Sequence, residues 1–193
     1  MKIILTRHGE TEENVRGISQ GQTHGTLTKK GIEQAKRLAK RFKGAKIDAI
    51  YSSDLGRATN TVKEIAKFHP HLEINFTKLL RERDLKKFAG QPGDKIDWYD
   101  TTGGIESGDD MKKRAKKFLD EVYEKHKNDT ILVLGHGGTN AAMLGVIMGK
   151  NYPEAFLMHD WKNTNVTELE IYEDKSHKIH LINCVKHLDE QNT

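Results

Sequence analysis

The chain has 193 residues and one cysteine, Cys184, which excludes an intramolecular disulfide framework and a cysteine-based zinc cluster; the length predicts a single domain over 1–193. Its formal net charge is +4, yet acidic and basic residues interleave along the chain, which excludes a nucleic-acid arm and leaves composition silent about a partner. No window approaches membrane-spanning length and no charged-then-apolar leader opens the chain, so the expectation is a cytoplasmic protein that meets neither membrane nor nucleic acid.

Lys2 to Thr6 (KIILT) is a short apolar run stopped by polar residues and Gly9, the pattern of a buried parallel strand ending in a functional loop. Thr28 is an N-cap for a helix that turns Ile32, Ala35, Leu38 and Phe42 to one side and ends at Gly44. Ala49 to Ser52 reads as a strand, followed by a helix from about Leu55 to Phe68 that carries Ala58, Val62 and Ile65 inward and stops before Pro70. Leu72 to Phe76 is a further strand. From Lys86 to Gly108 the chain holds Pro92, Gly93, Gly103 and Gly104 beside Trp98 and Tyr99, and reads as a lid-like insertion packed by its aromatics.

Ser107 and Asp110 resemble a capping box, opening a helix with Met111, Ala115, Phe118 and Val122 inward. Thr130 to Leu134 (TILVL) repeats the design of the first strand, with a helix after it to Met148. Asn165 to Tyr172 and His180 to Val185 form a strand pair at one edge, and within it Cys184 reads as a small core hydrophobe. His126, His177, His180 and His187 read as solvated, and His69-Pro70-His71 as a helix-ending loop without a third metal ligand. Strand and helix alternate, so the fold class is α/β: a three-layer α/β/α domain whose central sheet is mostly parallel with an antiparallel edge.

In an open parallel sheet, ligands bind beyond the carboxyl ends of the strands. Arg7-His8-Gly9 follows the first strand and His136-Gly137-Gly138 follows the Thr130 strand, so both histidines are expected to face one crevice. A neutral imidazole attacks phosphorus when its second ring nitrogen is held by a hydrogen bond, and His8 is the candidate. Charge on a transferring phosphoryl group calls for fixed cations and backbone donors; Arg7, Arg57 at another strand-to-helix junction, His136 and the amides around Gly137 supply them. Glu82, in Leu80-Arg81-Glu82 after the Leu72 strand, is the candidate that protonates the leaving alkoxide and then activates water.

Arg7-His8-Gly9, Ser53 to Thr61 (SDLGRATNT), Leu80 to Glu82 and Gly135-His136-Gly137-Gly138 together resemble the histidine phosphatase superfamily, also called phosphoglycerate mutase-like, over nearly the whole chain. The resemblance implies a phosphoglycerate mutase-like fold and a phosphomonoesterase that needs no cofactor and no metal. His8 would be the phosphorylated nucleophile, Arg7, Arg57 and His136 would hold the phosphoryl group, Glu82 would be the proton donor, and Asn14 and Gln20 would lie on the phosphate side. His24 and Gly25 depart from the family's common acidic residue and proline. Two alternatives stand beside hydrolysis: a cofactor-dependent phosphoglycerate mutase and a non-catalytic phosphate-ester binding domain. Glu13 replaces the tryptophan common before Asn14 in mutases, no arginine lies between Arg83 and Arg114 where mutases carry those that hold the substrate carboxylate, and three lysines are a poor match for retaining a bisphosphate, so the expected partner is a small phosphate ester that is hydrolysed. The loop after the first strand lacks the G-x-G-x-x-G turn of a dinucleotide-binding domain.

Overall fold

The structure is a computed structural model that describes residues 1–98 and 102–189; Tyr99, read from the sequence as lid packing, lies outside them. In chain order the elements are β1 (Lys2–Arg7), the one-turn α1 (Glu12–Val15), β2 (Ile18–Ser19), α2 (Lys29–Arg41), β3 (Ala49–Ser52), α3 (Gly56–Ala66), β4 (Ile74–Phe76), β5 (Gln91–Pro92), α4 (Gly108–Lys125), β6 (Thr130–Gly135), α5 (Gly137–Met148), α6 (Tyr152–Leu157), β7 (Val166–Ile171) and β8 (His177–Cys184). A six-stranded sheet runs β4-β3-β6-β1-β7-β8, parallel from β4 to β1 and antiparallel through β7 and β8.

Strand alternation explains the layers. Ile3, Leu5, Ile131 and Val133 point to one face, where Met111, Ala115 and Phe118 of α4 and Ala141 and Ala142 of α5 cover them. Ile4, Leu132 and Leu134 point to the other, under Leu38 and Phe42 from the α2 segment and Ala58, Val62 and Ile65 of α3. Both faces are buried, which is why these strands read as unbroken apolar runs.

The register aligns the strand ends. Thr6 of β1 and Ser52 of β3 both pair with Leu134 of β6, so the residues that follow each strand emerge at one edge of the sheet. The 86–108 segment is tied down on this side: Gln91 and Pro92 pair with Ser19 and Ile18, and Leu85, Ile96 and Ile105 form a small apolar cluster with Phe88. Of the segment expected as a lid, Phe88, Gln91, Pro92, Ile96 and Ile105 are therefore packed or paired, the strand Gln91–Pro92 joining the loop after β1.

Several expectations change in detail. Ile32 is 42% exposed, because α2 buries Gly31, Gln34, Ala35, Leu38 and Ala39 and leaves Ile32 at the margin of that stripe. The antiparallel edge is a hairpin, and its second strand starts at His177 instead of His180. Cys184 is half-buried, 3.4 Å from Arg41, because it ends an edge strand with one open side. Among the histidines read as solvated, His187 is buried against Thr164 Oγ1 at 3.2 Å, and His126 bridges Tyr51 (2.9 Å) and Asp129 (2.8 Å). The Thr164 and Tyr51 contacts join residues 23 and 75 positions apart and leave no local sequence signal, whereas Asp129 is only three residues from His126.

Candidate active site

A cleft of about 750 Å³ opens at the carboxyl edge of the parallel strands, with Arg7, His8, Arg57 and Glu82 among the residues that line it. His8 is buried at its floor. Its Nδ1 lies 2.7 Å from the Gly9 carbonyl oxygen, which can only accept, so Nδ1 carries the proton and Nε2 keeps its lone pair. That lone pair accepts from Arg57 Nε at 3.2 Å. Burial, followed by the charges of Arg57 and Arg7, holds the His8 pKa well below the usual histidine value, so the ring is neutral. The loop presenting it is fixed by close approach: a Cβ on Gly9 would stand 2.5 Å from the Gly31 carbonyl oxygen, and the Gly9 N–H donates to Thr61 Oγ1 at 3.0 Å.

Arg57 sits in the first turn of α3, almost wholly buried. Its Nη2 donates to the Gly21 carbonyl at 2.9 Å and Nη1 to that of Thr23, so the side chain is held without a carboxylate. Burial lowers its pKa to about 10, which leaves it charged at neutral pH. Arg7 donates Nη1 to the Trp161 carbonyl, while its buried Nε has no partner.

The His136 ring centroid lies 5.2 Å from that of His8. Its Nε2 is 2.8 Å from Ser53 Oγ, and Ser53 Oγ already accepts the Leu55 N–H at 3.3 Å. Among the described residues the serine proton has no other acceptor, so it goes to His136 Nε2, and the proton of the neutral ring then sits on Nδ1. His136 is neutral because burial, then Arg57, pushes its pKa well down. Nδ1 is buried and unpartnered. Arg7 Nε and His136 Nδ1 are two buried donors around His8 without acceptors, an arrangement that an anion would complete.

Glu82 follows a 3-10 turn over Lys78–Leu80 that separates it from β4. Its Oε1 accepts the Arg83 N–H at 2.9 Å and Oε2 the Gly138 N–H at 3.2 Å, so two backbone donors aim the carboxylate into the cleft. Gly138 is required here: a Cβ would collide with Glu82 Oε1 and stand 2.8 Å from the Tyr152 hydroxyl.

The other expected phosphate-side residues are also nearby. Asn14 lines the cleft, its Oδ1 accepting from Thr11 N–H and Asn163 Nδ2, both at 3.2 Å. Gln20 lines it too, with Nε2 donated to Thr11 Oγ1 at 2.9 Å. Gly137 is buried behind the wall, where a Cβ would lie 3.9 Å from Arg7 Nε, and the neighbouring amide of Gly138 serves Glu82. Trp98 lines the cleft, while His159 packs edge-on to Trp161 at 5.8 Å, outside the lining. Sequence reasoning missed the positioning partners Ser53 and Asn163 and the cleft residues Arg83 and Tyr152. Ser53 and Asn163 had a signal in their place beside strand ends; Tyr152 had none. Among the described residues no helix is long and apolar enough to cross a membrane, and no three His, Cys, Asp or Glu side chains gather as metal ligands.

The sequence model described as histidine phosphatase superfamily (branch 1) matches residues 3–184. A probable phosphatase of Schizosaccharomyces pombe is 32% identical over all of this chain and 98% of its own length. A metal-independent phosphoserine phosphatase of Arabidopsis thaliana is 33% identical over 74% of this chain and 66% of its own. The solved phosphoserine phosphatase of Entamoeba histolytica in complex with 3-phosphoglyceric acid superposes with a TM-score of 0.85, at 28% identity, covering 97% of this chain and 98% of that one.

Proposed function

This chain belongs to the histidine phosphatase superfamily and hydrolyses phosphomonoesters through a phosphohistidine, and from that premise we propose which of its residues carry the two half-reactions. His8 Nε2 attacks phosphorus, forming a P–N bond as the P–O bond to the alcohol breaks, and Glu82 gives its proton to the departing oxygen. Arg7, Arg57 and His136 Nδ1–H stabilise the charge on the phosphoryl oxygens, with Asn14 and Gln20 at its margin. Water then attacks phosphorus while the Glu82 carboxylate takes its proton; the P–N bond breaks and the electron pair returns to Nε2. The observation that carries this reading is the tautomer of His8, fixed by Gly9, beside two buried donors that lack acceptors.

The positive field comes from arginines, so no divalent metal or cofactor is needed. The chain acts as a single domain whose 86–108 flap meets the leaving group, on small phosphate esters in the cytoplasm, without nucleic acid or membrane. The mutase alternative is disfavoured because the flap's lysines lack planar donors to retain a bisphosphate; the binding-domain alternative is disfavoured because all the reacting groups are present.

The test is phosphate release in chelator by wild type and Glu82→Gln. The variant is expected to lose about 100-fold on alkyl phosphates and much less on p-nitrophenyl phosphate, whose leaving group needs no proton. Equal loss on both would remove Glu82 from the acid role, and activity restored only by magnesium would defeat metal independence.

A further inference from the structure

Outside the catalytic cleft, and sharing no residue with its lining, a hollow of about 400 Å³ opens between the C-terminal half of α2, the end of β8 and the 3-10 turn Lys186–Leu188. Arg37, Lys40, Arg41, Lys186, His187 and Cys184 line it, and no carboxylate among the described residues does. Arg37, Lys40 and Arg41 follow one another at helical spacing, so α2 turns three like charges to one side, a placement that destabilises a helix when nothing offsets it.

The offset within the chain is weak. Glu33 meets Arg37 Nε at 3.3 Å, and Glu168 comes no nearer to Arg41 Nη2 than 3.6 Å. Arg41 Nη1 has only the soft acceptors Cys184 Sγ and His187 Nδ1, each at 3.4 Å, and Arg37 Nη1 donates to the neutral Leu188 carbonyl at 3.1 Å. Among the described residues Lys40 makes no ion pair, and Arg37 Nη2 and Arg41 Nε make no hydrogen bond. Two titratable groups respond to this field. Burial and then Arg41 lower His187 to about 4, so the ring is neutral and its Nε2–H donates to Thr164 Oγ1 at 3.2 Å. Burial alone would raise the Cys184 thiol, yet the Lys186 N–H together with the hydrogen bond and charge of Arg41 outweigh it and lower its pKa.

The volume lies within the range of small-molecule sites. Two planar guanidinium forks one helical turn apart suit neighbouring phosphoryl groups on one compact ligand, whereas an extended polyanion follows a track of charge along a surface. We propose that this hollow is a second anion-binding site, separate from the catalytic cleft, for a small molecule carrying two or more phosphate groups. Arg37 and Arg41 grip its oxygens, and Lys40 and Lys186 stand beside them.

Cys184 is the only cysteine of the chain, so its alkylation reports on the hollow alone. The test follows iodoacetamide labelling at fixed pH with increasing pyrophosphate, in wild type, Lys40→Met and Arg41→Met, with sodium chloride of equal ionic strength as the control for screening. Pyrophosphate at about ten times its dissociation constant should slow labelling about 10-fold, and chloride should leave the rate nearly unchanged. The half-protecting concentration should rise about 10- to 100-fold in Arg41→Met, which loses a charge-assisted contact, and about 3-fold in Lys40→Met, whose exposed side chain can be replaced without disturbing the fold. Absence of protection, protection matched by chloride, or a half-protecting concentration unchanged in both variants would overturn the site. So would a thiol that fails to react without pyrophosphate, because the hollow would then be closed, and protection by heparin with none by pyrophosphate would overturn it in favour of an extended polyanion.

Discussion

At the scale of single residues, the site depends on where two protons sit. Gly9 fixes one on His8 Nδ1, and Ser53 fixes the other on His136 Nδ1 by donating to Nε2. Ser53→Ala should release the second constraint: nitrogen NMR of His136 should shift from the Nδ1–H form toward a mixture, with kcat reduced about 10- to 100-fold and Ser53→Thr restoring part of it. A pure Nε2–H signal in wild type would contradict the assignment. Both rings are buried and neutral, with pKa values depressed below the unfolded value of about 6.5. The unfolded chain therefore binds more protons below that pH. Stability should be level above about pH 7 and fall by up to about 1.4 kcal/mol per pH unit for each such histidine as pH drops through 6 to 5. His187, lowered to about 4, extends the fall, whereas carboxylates such as Asp54, held low by its hydrogen bond from Arg81, add to it only below about pH 4. Urea unfolding at pH 7.5 and 5 checks this; equal midpoints would contradict it.

At the scale of elements, what matters is that β1, β3 and β6 end level, so short loops from sequence-distant strands deliver His8, Ser53 and His136 to one place. Helix α5 adds a constraint through Gly138, whose missing Cβ makes room for the Glu82 carboxylate. Gly138→Ala should push that carboxylate aside and lower kcat about 100-fold, while the unfolding midpoint moves little because the clash is with the end of a side chain. Full activity in the folded variant would show that Glu82 need not occupy its observed position. Much of this was legible in the sequence. The apolar runs of β1 and β6 are local signals, and His8 and His136 stand directly beside strand ends, with Arg57 at the start of the helix after β3, where the fold class directs attention. Ile32 was misplaced because it lies at the margin of its stripe, and Arg83 and Tyr152 were missed as cleft residues because their meeting brings the loop after Glu82 to α6, far further along the chain. No local pattern encodes that convergence. His187 and His126 were misread for a like reason, each meeting a partner distant in the chain, Thr164 and Tyr51.

For the molecule as a whole, the sheet and its two helical layers form a frame at whose open edge the proposed phosphoryl site lies, beside the Gln91–Pro92 strand paired with β2. In the proposed mechanism phosphate passes through His8. Rapid mixing with a radiolabelled phosphomonoester, quenched in alkali within one turnover, captures that intermediate. An acid-labile, alkali-stable phosphoryl label is expected on the peptide containing His8, formed at least as fast as steady-state turnover and absent in His8→Ala. Turnover without labelled protein, or label on another residue, would contradict it.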